Sequence, residues 1–554
     1  MSGNGSPTPD HIGMKRLLQP AAETRRRTPL LAAAAAISLV LVGLVSTGAQ
    51  ADQRRAAPAP RPSIAWGECT DAVLLAHRAQ CGFLTVPMDR ANPDGSTVRL
   101  AVSRIMHTTT DPARYQGVML VNPGGPGGSG YELSVLGSYL PAGTGDGFDW
   151  IGFDPRGVGA SRPALSCDKS YLGYNRPPYV PTTAAREQRW LTRARGYAHA
   201  CATAGGALLG HLRTADTVAD MESIREALGV DKINYYGFSY GTYIGQVYAT
   251  LHPDRVRRMV LDGVVDPRRV WYASNLDQDV AFEHNMGIYF GWVARNDAVY
   301  HLGRTGRDVQ RRFDEQIAAL TRAPAGGVIG PDELTDVFLQ AGYYVFGWED
   351  IAGAFSAWVR QHDPARLKAL YDQDNPKADG DNGYAIYLAT QCTDARWPAA
   401  WSTWRQDNWA VYRVAPFETW SNAWYNAPCR DWAGAPGTPA PVDGRSAPPI
   451  LLVNETLDAA TPYSGAIEVR KRFPHSALIE GVGGTTHAGS LFGDDCEDST
   501  IAAYLTTGVL PNRVKANRSD KQCAPLPQPN PSGGGTGRAA RSDAVRKMIE
   551  SGIR

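Results

Sequence analysis

Ile233-Asn234-Tyr235-Tyr236-Gly237-Phe238-Ser239-Tyr240-Gly241-Thr242-Tyr243 is the stretch that decides the fold. Residues 233–236 read as a buried strand, residues 237–241 fit G-x-S-x-G, and a helix follows from Tyr240 to about Thr250. The pattern alone is common. Placed between a strand and a helix it reads as a nucleophile elbow, a strained turn where glycines prevent side-chain collision and a helix N-terminus favours developing negative charge. The alternative is that Ser239 caps a helix or a tight turn.

The surroundings extend this reading. Upstream, Thr214 to Leu228 carries Val218, Met221, Ile224, Ala227 and Leu228 at helical spacing and stops at Gly229, and downstream Met259-Val260-Leu261-Asp262 is a further buried strand. This order makes a βαβ unit with a right-handed crossover. Val118–Val121, Trp150–Phe153 and Ile450–Val453 are apolar without alternation, which suits strands covered on both faces. Cys81–Pro87 and Val98–Met106 read as short strands separated by the turn formers Asn92-Pro93-Asp94-Gly95.

From Asp266 the character changes to tryptophan-rich helical sequence, until the Pro/Gly/Ala/Ser-rich run 434–449 restores strand character. A helix at Pro462–Phe473, a strand at Ala477–Glu480 and a closing helix at Asp498–Thr507 follow. The expected fold class is α/β, with a mostly parallel central sheet and a large helical cap inserted before the strand that carries a candidate acid. The expected organisation is residues 63–266 and 447–525 as the two parts of the core, 267–446 as the cap, and 526–554 as a tail, mobile over 526–540.

At the other end of the chain, residues 28–51 carry no charge, Arg25-Arg26-Arg27 precede them, and Ala49-Gln50-Ala51 offers a small-x-small cleavage pattern. Residues 1–51 are read as an export signal, followed by a proline-rich leader over 52–62. Twenty-four uncharged residues also suffice for an uncleaved membrane anchor, and the paired arginines resemble a twin-arginine signal. The expected localisation is extracellular, membrane-anchored if the signal stays, with membrane contact only through that segment.

The 554 residues are 43% hydrophobic and 20% charged, enough for a large core and too little charge for disorder. Beyond residue 51 the chain holds 51 Lys/Arg against 53 Asp/Glu, a balance that gives no reason to expect nucleic acid as partner. Eight cysteines, Cys69, Cys81, Cys167, Cys201, Cys392, Cys429, Cys496 and Cys523, form no C-x-x-C pair and no metal-ligand spacing, so no metal or other cofactor is expected. Their even number behind an export signal points to disulfides. Of the possible connectivities, pairing in chain order closes four local loops.

A serine needs an imidazole to take its proton and a carboxylate to hold the imidazole. Asp458 lies just past strand 450–453, and His487 lies in Gly483-Gly484-Thr485-Thr486-His487-Ala488-Gly489, past strand 477–480. Glu455 and Asp262 are alternative acids. His475 reads as exposed, and His107, His211, His252, His284 and His301 have no comparable setting. Asn122-Pro123-Gly124-Gly125-Pro126-Gly127-Gly128-Ser129-Gly130 has neither the lysine of a phosphate loop nor the phase of a dinucleotide loop. It reads as half of an oxyanion hole, with the amides of Gly125 and Tyr240 as donors, since Pro126 has no N–H. Arg156, in Asp154-Pro155-Arg156-Gly157, is expected to brace the loops through Asp154 or Asp262. Asn454 and Asn517 sit in glycosylation acceptor patterns.

The elbow, the N-P-G-G-P-G-G-S-G loop, D-P-R-G-V-G, and L-D-A-A-T-P before a late G-G-x-x-H together resemble the secreted tripeptidyl aminopeptidases of Streptomyces, relatives of the proline iminopeptidases in the α/β-hydrolase superfamily. The resemblance runs from about Trp66 to Pro525, includes the cysteine positions and residues 276–283, and departs after His487. It implies an α/β-hydrolase fold and release of tripeptides from peptides with a free N-terminus, through an acyl-enzyme on Ser239. It further implies that acidic residues of the cap bind the substrate's ammonium, with Glu283 and Glu349 as candidates. The rival readings are a secreted esterase or amidase acting on small molecules, and a non-catalytic surface protein, which intact Ser239, Asp458 and His487 argue against.

Overall fold

The computed structural model describes residues 62–375 and 380–531, so the readings of residues 1–61 and 532–554 lie outside the described residues. Ten strands form one sheet: β1 (Gly67–Glu68), β2 (Gln80–Pro87), β3 (Thr97–Ile105), β4 (Gly117–Asn122), β5 (Phe148–Phe153), β6 (Ile233–Phe238), β7 (Val256–Asp262), β8 (Leu451–Glu455), β9 (Ala477–Gly481) and β10 (Lys521–Cys523). Their spatial order is β1-β2-β3-β5-β4-β6-β7-β8-β9-β10. Pairing is antiparallel from β1 through β3 to β5 and parallel from β5 onward.

The apolar runs are explained by burial on both faces. Along β4, Val118 and Leu120 join one core with Ile224, Ile244 and Val247 of the helices Thr214–Ala227 and Tyr240–Leu251. Met119 and Val121 join the opposite core with Tyr289, Trp292 and Phe338 of the insertion. Both faces of each central strand are thus removed from water, and no polar alternation is needed. The insertion is helical, from Tyr272–Arg295 to Thr419–Asn426, with only an isolated bridge between Ala325 and Ile329 among its described residues.

The strand order reverses at β4, which lies between β5 and β6, so the loops after β4 and β6 open a crevice at the carboxyl ends of the strands. Disulfides join Cys69 to Cys81, Cys167 to Cys201, Cys392 to Cys429 and Cys496 to Cys523, and there is no free cysteine among the described residues. No described helix is long and apolar enough to cross a membrane. The first residues of the expected tail are packed: the Trp292 indole donates to the Pro529 carbonyl, Arg295 donates to Gln528, and Leu526 is buried.

Two local readings change. Arg156 makes a two-point ion pair with Asp220 of the helix Thr214–Ala227, not with Asp154 or Asp262. Its remaining donors reach the carbonyls of Met88 and His211, and Asp154 instead accepts from Ser129 and the Ala160 amide. Asn454 is fully buried, with its amide bonded to the carbonyls of Glu455 and Thr461, so that acceptor pattern is inaccessible, whereas Asn517 is exposed.

Candidate active site

Ser239 follows β6 with φ 53 and ψ −125, a conformation few non-glycine residues adopt, and the helix Tyr240–Leu251 starts immediately after it. The turn is held from the neighbouring strand, since the Ser239 amide donates to the Asp262 carbonyl at 2.9 Å. Gly241 is required by close approach, because a Cβ there would stand 2.6 Å from the Asn122 carbonyl oxygen. On the other side the glycine-rich loop after β4 is pressed onto the elbow: a Cβ on Gly124 would meet the Phe238 oxygen at 2.5 Å and the Tyr240 nitrogen at 2.8 Å. The Gly124 amide is used by the Asn122 side chain. Gly125 and Tyr240 both line the cavity beside Ser239, and Tyr240, as the first helical residue, has an amide without an intrahelical acceptor.

His487 Nδ1 contacts the Asp458 carboxylate at 2.8 and 3.0 Å, with both residues fully buried. Asp458 also accepts from the Thr461 amide at 2.9 Å and hydroxyl at 2.7 Å, which fixes the carboxylate plane. Of the three acids considered from the sequence, Asp458 is the one bonded to the imidazole. Asp262 accepts from the amide and hydroxyl of Ser490, and burial pushes its carboxyl up to about 6. Glu455 is buried against the glycines of the His487 loop. Nε2 of His487 is buried without a hydrogen-bond partner among the described residues.

The insertion holds these loops. The Tyr343 carbonyl accepts from the His487 amide at 2.8 Å, and its ring packs edge-on against the imidazole. From the helix Tyr272–Arg295, Asn285 and Gln278 donate to the carbonyls of Leu457 and Ala460, on either side of Asp458.

Between core and insertion lies a cavity of about 1410 Å³, with Ser239, Gly125 and Tyr240 in its lining and Arg176, Tyr179, Asp336, Glu418 and Asn422 contributed by the surrounding helices and loops. Neither Glu283 nor Glu349 lines it. Glu283 accepts from the Phe417 amide, and Glu349 lies in the first turn of the helix Trp348–Gln361, where its charge adds to burial in raising the Tyr300 hydroxyl. The cavity carboxylates are others. Asp336 is neutralised by Arg176 at 2.6 Å and accepts from Tyr179, Asp277 pairs with Arg269, and Asp381 accepts four donors. Glu418 differs: it is 7% exposed and its Oε2 has no partner. Burial first, then Asp279 and Asp336, hold its carboxyl well above the usual range. Sequence reasoning passed over it, although it is the one acid between Trp409 and Trp424. Arg176 and Tyr179 come from the stretch 163–213, where no strand or helix was read.

A serine on a strained elbow and a buried histidine–aspartate pair at the carboxyl ends of a mostly parallel sheet define a serine hydrolase of the α/β-hydrolase fold. Residues 117–320 match the alpha/beta hydrolase fold family and residues 415–523 the TAP-like protein family. The chain is 43% identical to the tripeptidyl aminopeptidase of Streptomyces lividans over 490 residues, covering 86% of this chain and 89% of that protein, and it belongs to the tripeptidyl aminopeptidase family. It is also 30% identical to the serine protease Hip1 of Mycobacterium tuberculosis over 87% of this chain and 95% of that one. To the protein named carboxylesterase B of the same organism it is 31% identical, over 88% and 98%.

Proposed function

We propose that this protein is a secreted serine exopeptidase that releases tripeptides from unblocked N-termini, with Ser239 as nucleophile, His487 as base and Asp458 as its orienting acid. The observation that carries the reading is the cavity that has Ser239 in its lining together with Glu418, a buried acid whose Oε2 has no partner. An ammonium group is the chemistry such a carboxylate lacks, and the free N-terminus of a peptide supplies it. The amine-binding role therefore moves from Glu283 and Glu349 to Glu418.

His487 Nε2 takes the Ser239 proton as Oγ bonds to the scissile carbonyl carbon, and the amides of Gly125 and Tyr240 receive the oxyanion. The C–N bond then breaks, and the imidazolium gives its proton to the departing amine. Water, deprotonated by His487, attacks the ester and frees the tripeptide and Ser239. The disulfides and the aminopeptidase relatives support an extracellular setting.

A second reading, hydrolysis of small esters, is favoured by the relative named carboxylesterase B. One experiment separates the two: mass spectrometry of an unblocked decapeptide and its N-acetylated form, beside short acyl esters. Successive loss of three residues from the unblocked peptide alone is expected. Turnover of the esters with both peptides intact would overturn the peptidase reading.

A further inference from the structure

The insertion touches the glycine-rich loop as well as the histidine and aspartate loops, meeting it at the start of the helix Asn382–Asp394. Gly127 adopts φ +99 with its Cα turned onto this helix, where a Cβ would collide with the Gly383 carbonyl oxygen and stand 3.2 Å from the Tyr387 nitrogen. The loop is therefore clamped between two surfaces, Gly124 on the elbow and Gly127 on the insertion, with Gly125 between them.

Asn382 fixes the insertion to the neighbouring loop after β5. Its Nδ2 donates to the Gly157 carbonyl at 2.8 Å and the Leu165 carbonyl at 2.6 Å, and its Oδ1 accepts from the Gly159 amide at 2.8 Å. Both N–H donors and one acceptor site of the Asn side chain are thus spent on one loop. That loop is tied back to the glycine-rich loop, since Asp154 accepts from the Ser129 hydroxyl at 2.6 Å and from the Ala160 amide at 2.7 Å. Beside Asn382, buried Asp381 accepts from the amides of Cys167 and Asp168 at 2.8 and 2.7 Å, from the Tyr197 hydroxyl at 2.7 Å and from Ser166.

From these contacts we infer that Asn382 is a positioning residue for the oxyanion hole: through the loop 154–161, Asp154 and Ser129, and through the seat that Gly383 gives Gly127, the insertion sets the direction of the Gly125 amide. The insertion then serves the chemical step and not substrate enclosure alone. This rests on Gly125 being an oxyanion donor, as proposed above. An amide that is well placed before reaction stabilises the tetrahedral oxygen without reorganisation, and one displaced by a fraction of an ångström does not.

The test compares Asn382→Ala, Asn382→Asp and Ser129→Ala with the wild type. Asn382→Asp keeps the acceptor for Gly159 and loses both donated bonds, and Ser129→Ala cuts the link at its other end with little risk to folding. Three readouts are taken: kcat and KM on a tripeptide anilide, binding of a tripeptidyl aldehyde, which places an oxyanion at the site, and binding of the product tripeptide, which does not. The expected result is a loss in kcat and in aldehyde affinity of about 10- to 100-fold for Asn382→Ala, with smaller losses for the other two, and unchanged KM and tripeptide affinity. Should Asn382→Ala not fold, the other two variants decide. Losses confined to KM and tripeptide affinity, or no loss in kcat, would overturn the inference. A wild-type enzyme that fails to bind the aldehyde would instead overturn the underlying reading of the site.

Discussion

Gly263 lies against the imidazole of His487: a Cβ built on it would stand 3.0 Å from Cε1 and 3.3 Å from Nδ1, and 3.2 Å from the Thr461 hydroxyl. The residue follows β7 with φ +71, and its amide donates to the Val453 carbonyl. Glycine therefore meets two demands at once, a left-handed backbone and a surface flat enough for the ring. Gly263→Ala is expected to cost about 1 kcal/mol or more of stability from backbone strain. Because the added methyl forces the ring or Thr461 to shift by a few tenths of an ångström beside the bond to Asp458, it is also expected to lower kcat by about 10- to 100-fold. Thermal melts and kinetics check this, and full activity with lowered stability would mean the ring has room to yield.

Ser239→Ala is expected to abolish labelling by a fluorophosphonate and to lower turnover by about 10⁴- to 10⁶-fold while the fold persists. His487→Ala should lose a similar amount, and Asp458→Asn about 10³- to 10⁴-fold, because the amide stabilises the wrong imidazole tautomer. Persistent labelling at another serine, located by peptide mapping, would reject the assignment.

What the sequence discloses and what it hides divide along a physical line. The elbow, β4 through β9 and the positions of Ser239, Asp458 and His487 are legible because local rules govern them: uninterrupted apolar runs, glycines at close approaches and turns at strand ends. Asp220 as the partner of Arg156 is not legible, since 64 residues separate them and Asp220 sits on a helix whose apolar stripe is its visible signal. The two short edge strands, β1 and β10, pair two or three residues each and carry too little pattern to read. Glu283 and Glu349 are candidates that the family resemblance implies, whereas lining a cavity is a property of helix packing, which places Glu418 in the lining just before the helix Thr419–Asn426.

Glu418 is therefore the residue on which exopeptidase specificity is expected to turn. Glu418→Gln keeps the size and removes the charge that would meet an ammonium. For free-amino substrates it should cost about 1.5–3 kcal/mol in kcat/KM, or about 10- to 150-fold. An N-acetylated peptide has no ammonium to lose, so its slow rate should hold or rise. Damage to packing would slow both alike. Equal losses for the two substrates would reject Glu418 as the anchor.

The last prediction concerns the acids behind the histidine. Glu455 ends β8 with its carboxylate pressed against Gly481, Gly484 and Gly489, and its Oε2 has no hydrogen-bond partner. Burial, then Asp262 and Asp458, push its carboxyl from the usual 4.5 up to about 8, opposed only in part by the Leu526 amide, with Asp494 adding to the rise. Glu497, also buried with an unpartnered oxygen, is held well above the usual range by burial and by Glu455, Asp262, Asp494 and Asp498. The folded chain thus keeps a proton on Glu455 that the unfolded chain releases, so the stability is fully present below about 4.5 and is lost progressively as pH rises toward about 8. Asp262 and Asp498, each raised to about 6, act with the same sign over a lower window. The expected outcome is a melting temperature that falls from mildly acidic to mildly alkaline pH. Glu455→Gln keeps the shape and cannot ionise, so above about pH 7, where Asp262 and Asp498 have largely finished titrating, its decline should be shallower than that of the wild type, with Glu497 still contributing. Melts of the two proteins across this range decide the point. Parallel curves would show that Glu455 is already ionised in the fold, and that water or a backbone donor meets its charge.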